Sequence, residues 1–282
     1  MSATKVFASG KIALITGGAS GIGLAVAQLC IKHGMRVAVA DFNTDYLSKA
    51  KTTLDEKNTG DVETYQIDVS KLSEWGELKS KVTSKFGSPD LLMLNAGIGL
   101  RGTWGDNEYF SKILETNLFG VIHGLNTFVP DISSSGKPSA IVITGSKQGI
   151  TNPPGNPAYN ASKSAVKALA EHLSFDLRHT QTSVHLLIPG WTFTGLSGNA
   201  PGSTKEKPAG AWWPSQVAEY LEKKMGEGKF YVMCPDNDVT EDLDKRRMLW
   251  GVGDMVYENK PLSRWREDTK DGASEGIKNM RL

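Results

Sequence analysis

Short runs of β-branched and other apolar residues alternate along this chain with longer segments in which apolar positions recur every three or four residues. The first pattern predicts buried strands and the second predicts amphipathic helices. Strands are expected at 11–16 (KIALIT), 36–40, 62–67, 91–94, 139–143, 184–188 and 230–233. Helices are expected at 21–33, 44–57, 71–86, 107–130, from about Lys163 onward and at 214–226. Strand and helix in strict alternation imply an α/β fold: a doubly wound, seven-stranded parallel sheet with helices on both faces. The segment 191–213, rich in Gly, Pro and Trp, is a long loop of the kind that carries function.

Residues 1–235 read as one domain with a flexible stretch at 1–9, and 236–282 as an extension rather than a second domain. Within the extension, Met248, Leu249, Val252, Met255 and Val256 recur at helical spacing and predict a helix over 241–257 with one apolar stripe. Trp250 and Trp265 are candidate anchors, and the polar chain beyond Glu267 is expected to fray. The helix either covers its own domain or closes the 191–213 loop.

Composition narrows the function. A net charge of +1 over 282 residues gives no long-range attraction for nucleic acid or an anionic membrane. No apolar run reaches the length of a membrane span or a signal peptide, so a cytoplasmic protein is expected. Two cysteines, Cys30 and Cys234, suit a reducing compartment and read as buried, inert thiols. No metal site is expected.

The chemistry concentrates in two places. Thr16-Gly17-Gly18-Ala19-Ser20-Gly21-Ile22-Gly23 joins the first strand to the first helix. Gly17, Gly21 and Gly23 let the backbone approach a dinucleotide pyrophosphate, and the helix start offers free N–H groups and a positive dipole end. Asp41 ends the second strand, where a carboxylate can accept both adenosine ribose hydroxyls. That charge repels a 2′-phosphate, and neither Ser20 nor Phe42 brings a cation, so NAD is favoured over NADP. Asp68-Val69 could flank the adenine, and Asn95-Ala96-Gly97 could lie under the adenosine ribose.

The second place is 144–163. Tyr159 and Lys163 are one helical turn apart, and Ser146 sits at the mouth of the preceding strand. An ammonium beside the phenol is expected to lower its pKa, making Tyr159 a general acid/base with Ser146 donating to the same substrate oxygen.

Together these motifs resemble the short-chain dehydrogenase/reductase family over about residues 10–235. The resemblance rests on TGxxxGxG at Thr16–Gly23, NAG at Asn95–Gly97 and YxxSK at Tyr159–Lys163, with Ser146 and Pro189-Gly190 in place. It implies a catalytic set of Asn117, Ser146, Tyr159 and Lys163, with Tyr159 and Lys163 also touching the cofactor. Asn117 would hold a helix irregular and anchor a water. Pro189, Gly190, Thr192 and Thr194 would lie on the nicotinamide side. The expected activity is NAD-dependent exchange between a secondary alcohol and a ketone, in a homodimer or homotetramer. A carbonyl reductase, an epimerase and a dinucleotide-sensing protein are the alternatives. Leu100, Trp104, Ile150, Trp191, Phe193, Leu196, Trp212 and Trp213 suggest an apolar small-molecule substrate. Lys147, in a place where the family more often has a small or apolar residue, is expected to be solvated.

Overall fold

In Ile12–Thr16 (β1), every residue is buried, and successive side chains serve opposite faces of one sheet. Ala13 and Ile15 join a cluster with Val26, Leu47 and Leu221, while Ile12 and Leu14 join another with Trp75, Phe128 and Val166. A strand with an apolar layer on each side is what near-continuous hydrophobic runs signify. The structure is a computed structural model and describes residues 6–56 and 60–282.

The remaining strands are Arg36–Asp41 (β2), Val62–Gln66 (β3), Leu91–Leu94 (β4), Ser139–Thr144 (β5), Thr182–Ile188 (β6) and Tyr231–Met233 (β7). All pair in parallel in the order β3-β2-β1-β4-β5-β6-β7. The order reverses between β1 and β4, and in such sheets ligands bind at that crevice, beyond the strand C-termini. The helices are Gly21–Lys32 (α1), Thr44–Leu54 (α2), Leu72–Lys85 (α3), Asn107–Leu114 (α4), Gly120–Ser134 (α5), Gln148–Thr151 (α6), Pro157–Asp176 (α7), Pro214–Gly226 (α8), Glu241–Val256 (α9) and Lys270–Asn279 (α10). Helices α1, α2 and α8 supply one apolar layer and α3, α5 and α7 the other. The fold is thus the expected doubly wound sheet.

Several expectations need correction. The single helix over 107–130 is two helices joined by a π-helical turn, Glu115–Phe119, and it continues past Pro130 to Ser134. Of the N-terminal stretch expected to be flexible, Val6 and Phe7 are buried in the core; residues 1–5, like the expected end of α2 at Lys57, lie outside the described residues. Helix α9 forms, but with the opposite face inward. Asp244 and Asp254 are buried, whereas Leu249, Val252, Met255 and Val256 are exposed. The chain beyond Glu267 does not fray: α10 buries Ala273 and Ile277. Trp250 packs so closely on Gly276 that a Cβ there would fall 2.1 Å from its ring, and its Nε1 donates to Ser263 Oγ at 2.8 Å. Asp254 accepts from Ser263 N at 2.9 Å and from Ser263 Oγ at 2.6 Å, which accounts for its burial. No helix among the described residues is long and apolar enough to cross a membrane.

Candidate active site

The glycine turn closes over the end of β1. Gly17 and Gly21 have positive φ (60° and 54°), a conformation that disfavours a side chain. A Cβ on Gly23 would stand 2.2 Å from the Gly17 carbonyl oxygen, so only glycine lets α1 start this close to the turn. Ser20 is the N-cap of α1, and its side chain makes no capping hydrogen bond, which leaves the hydroxyl and the first helical N–H groups available to an anion. Asp41 is held against the turn: Oδ2 accepts from Ala19 N and Oδ1 from Asn43 N, both at 3.1 Å. Phe42 beside it is exposed and Ile22 is half-buried. These groups fit the pyrophosphate and adenosine ribose of a nicotinamide dinucleotide.

Thr16 opens the glycine motif, but sequence reasoning gave it no role. Its Oγ1 accepts from Asn95 N (3.0 Å) and Ala96 N (3.2 Å), joining the ends of β1 and β4. Its signal was only its place before Gly17. Asn95 then donates from Nδ2 to the Gly17 carbonyl at 3.2 Å and accepts from Thr144 Oγ1 at 3.1 Å. Gly97 leaves the space where a Cβ would come 3.3 Å from Asn117 Oδ1 and 3.6 Å from Lys163 Nζ. Asp68 is engaged by Ser70, with N and Oγ donating to its Oδ1, and Val69 packs against Gly120. Val69 lies beside Thr16, Leu94 and Ala96 at the strand ends.

Asn117 sits in the π turn, fully buried. Its Oδ1 accepts from Ile98 N at 2.8 Å and its Nδ2 donates to Ile98 O at 3.0 Å, so the amide acts as a false strand partner for the loop after β4. The Gly120 N–H reaches back five residues to Glu115 O, the bond that defines the wider turn.

Ser146 follows β5, its Oγ accepting from Gln148 N at 3.2 Å. The nearby Ser146 side chain favours the phenolate of Tyr159, yet burial outweighs that and pushes Tyr159 above the ordinary tyrosine range. The expected lowering by Lys163 is not found. The ammonium stands 5.9 Å from the Tyr159 ring centroid and donates instead to Thr144 O at 2.8 Å. Lys163 itself is enclosed, and burial lowers its pKa to about 8. A hydrogen-bonded path therefore runs from Lys163 through Thr144 and Asn95 to Gly17.

Beyond β6, Pro189 and Gly190 lead into the 191–213 loop. Thr192 is buried and donates to Gly190 O at 3.1 Å, and Thr194 packs on Gly21, where a Cβ would come within 3.2 Å of its methyl. The loop thus rests on the glycine turn. Of the apolar residues expected to face substrate, Phe193 is buried and Trp212 packs edge-on against Tyr220 of α8, so both serve packing. Ile150 lies against the core layer. Leu196 meets Gly99 and brings the loop against the chain after β4; Leu100, Trp104, Trp191 and Trp213 stay at least partly exposed.

Lys147 departs most from expectation. It is not solvated: its Nζ lies 2.5 Å from Asp244 Oδ2 and 3.4 Å from Asp236 Oδ2, with its side chain 14% exposed. Cys30 and Cys234 are buried; burial pushes the Cys234 thiol up to about 12 and Cys30 further, so both stay protonated.

The short chain dehydrogenase family model matches residues 11–204. An uncharacterised oxidoreductase of Staphylococcus saprophyticus is 30% identical over 201 residues, covering 70% of this chain and 85% of its own. An NADP-dependent (R)-specific alcohol dehydrogenase of Lentilactobacillus kefiri is 30% identical over 198 residues, covering 69% and 78%. Among solved structures, a short chain dehydrogenase/reductase from Burkholderia phymatum in complex with NAD superposes with TM-score 0.80 at 27% identity, covering 91% of this chain and 97% of that one. The family match begins at β1 and runs into the loop resting on the glycine turn, and on that ground the chain belongs to the short-chain dehydrogenase family of oxidoreductases.

Proposed function

We propose that the protein is an NAD-dependent dehydrogenase that interconverts a secondary alcohol and a ketone on a largely apolar small molecule. The observation that carries this reading is the gathering of Ser146, a partly buried Tyr159 and an enclosed lysine 5.9 Å from the Tyr159 ring centroid, the lysine being tied to the glycine turn. When bound, the nicotinamide supplies the two-electron acceptor or donor. Asp41 would hold the adenosine ribose, Ser20 and the start of α1 the pyrophosphate, and Lys163 the second ribose. Ser146 would donate to the substrate oxygen while Tyr159 gives or takes its proton. Asn117, fixed by both polar groups of Ile98, would position the water that connects Lys163 to solvent.

Asp41 supports NAD, because its carboxylate disfavours a 2′-phosphate. The Lentilactobacillus relative is named for NADP, so cofactor choice is the first point to test. Exposed Leu100, Trp104, Trp191 and Leu196 support an apolar substrate. A cytoplasmic homo-oligomer completes the reading, supported by the buried, unpaired cysteines and by the exposed apolar face of α9. Initial rates with NAD+ and NADP+ over a panel of apolar secondary alcohols, and with the reduced cofactors over the matching ketones, test it. Preference for NADP overturns the reading of Asp41. Absence of turnover across the panel in both directions overturns the alcohol assignment.

A further inference from the structure

The residue after Ser146 is a lysine enclosed between two carboxylates, and both carboxylates lie beyond β7. Asp236 is fixed by backbone donors: its Oδ1 accepts from Asp238 N (3.1 Å) and Val239 N (2.8 Å), and its Oδ2 accepts from Trp191 N (3.1 Å). Asp244 lies in the first turns of α9 with its side chain 3% exposed, and Lys147 Nζ is 2.5 Å from its Oδ2. Arg247 and Arg264 are near enough to Asp244 to interact with it as positive charges, and Asp236 adds negative charge. Gly190 is part of the same construction. A Cβ there would fall 2.7 Å from Asp236 Oδ2 and 2.9 Å from Lys147 Nζ, so a side chain at the β6 exit would break the cluster.

The neighbouring backbone carries the tie to Ser146. Thr151 N and Oγ1 both donate to Lys147 O, and Gln148 N donates to Ser146 Oγ. Helix α6 lies so close to Lys163 that a Cβ on Gly149 would meet its backbone at 2.6 Å. Displacing Lys147 therefore displaces the turn that aims Ser146 at Tyr159. Asn237 extends the fastening to the 191–213 loop, its backbone N donating to Gly210 O at 3.0 Å and its Nδ2 to Ala209 O at 2.6 Å.

We propose that Lys147 is a positioning residue that, through Asp236 and Asp244, fastens the Ser146 turn to the β7 exit and to helix α9, so that the C-terminal extension holds the catalytic hydroxyl in place. This rests on the reading of Ser146 as the hydroxyl that assists Tyr159. Two buried carboxylates around one ammonium lose their compensation when the lysine goes, whereas the exposed i,i+4 pairs elsewhere on the surface contribute little.

The test uses the full chain and the variants Asp244→Asn, Lys147→Met, Lys147→Arg and the Asp244→Asn/Lys147→Met double. The first readout, amide hydrogen exchange, needs no substrate. Asp244→Asn should speed exchange at Gly149–Asn152 by about tenfold while Ile141–Ile143 keep their protection. The second is steady-state kinetics. Asp244→Asn and Lys147→Met should each lower kcat by about fivefold or more with the NAD dissociation constant kept within about twofold. The double variant should be no slower than Lys147→Met, and Lys147→Arg, which still reaches both carboxylates, should recover most of the rate. If Lys147→Met does not fold, Asp244→Asn and Lys147→Arg decide. Unchanged exchange at Gly149–Asn152 in Asp244→Asn overturns the proposal, as does strict additivity in the double variant. A full rate in Tyr159→Phe would sink the catalytic assignment instead, and the exchange measurement would still judge the fastening.

Discussion

Tyr159 and Lys163 carry opposite burdens from the same enclosure. Burial raises the tyrosine and lowers the lysine, because it penalises whichever form is charged. In the free chain the pair is thus disposed toward neutral phenol, the form that can donate to a ketone. Alcohol oxidation needs the phenolate, so its kcat/KM should rise with pH along an alkaline limb. Tyr159→Phe should abolish that limb and lower turnover by at least about 100-fold, with NAD binding retained, in stopped-flow and equilibrium titration. Lys163 yields a separate prediction about stability. Its folded pKa of about 8 lies below its unfolded value, so the unfolded chain binds more protons between about 8 and 10.4. Stability should therefore rise with pH through that window, and below it the full cost of the buried ammonium remains. Lys163→Met should stabilise the fold near neutral pH by roughly 1–3 kcal/mol while eliminating turnover, less whatever the unpaired Thr144 carbonyl costs. The gain should shrink as pH passes 8 toward 10.5, and urea titrations at several pH values would show it. A constant gain across that range would mean that the lysine is not depressed.

At the scale of elements, hydrophobic period gave a sound guide where an element buries one apolar face. The strands and α1, α3 and α8 follow it because their apolar side chains do enter the two layers beside the sheet. The period misled in α9, whose apolar stripe faces outward. Here charge decides the orientation: Asp244 meets Lys147 and Asp254 meets Ser263, partners far away in sequence for the first and across a turn for the second. The π turn at Glu115–Phe119 was equally illegible to periodicity, since one added residue per turn over a single turn barely alters the pattern. The glycine turn was legible because its requirement is local. Gly23→Ala tests that requirement. The added methyl would meet the Gly17 carbonyl at 2.2 Å, so the turn must open or α1 must shift. The expected cost is about 1–3 kcal/mol of stability by thermal or urea unfolding, with NAD affinity reduced more than substrate KM. The same substitution at Gly251, which has open space around it, should stabilise α9 by a few tenths to about 1 kcal/mol.

For the molecule as a whole, the strands deliver their C-terminal ends to one crevice, and side chains from β1, β2, β5 and the residue after β4 are joined there. Thr16 holds Asn95, Asn95 holds Gly17 and accepts from Thr144, and Asp41 holds Ala19. A cofactor that binds the native chain and not the unfolded one stabilises the fold by mass action. Binding should then appear almost entirely as stabilisation of the native state. A ligand at about a hundred times its Kd adds about 2.7 kcal/mol. For a single domain of this size that raises Tm by roughly 5 °C. NADH should reach this shift at a lower concentration than NADPH if, as proposed, Asp41 accepts the free ribose hydroxyls and repels a phosphate placed on one of them. Asp41→Ala should reduce the NADH shift and bring the two cofactors closer together. Since Asp41 also anchors Ala19, the apo variant should lose a little stability as well, so each shift must be referred to its own apo Tm. Differential scanning fluorimetry with matched concentrations of both cofactors, on wild type and variant, makes the comparison. Equal shifts from NADH and NADPH in the wild type would remove Asp41 as the determinant of cofactor choice.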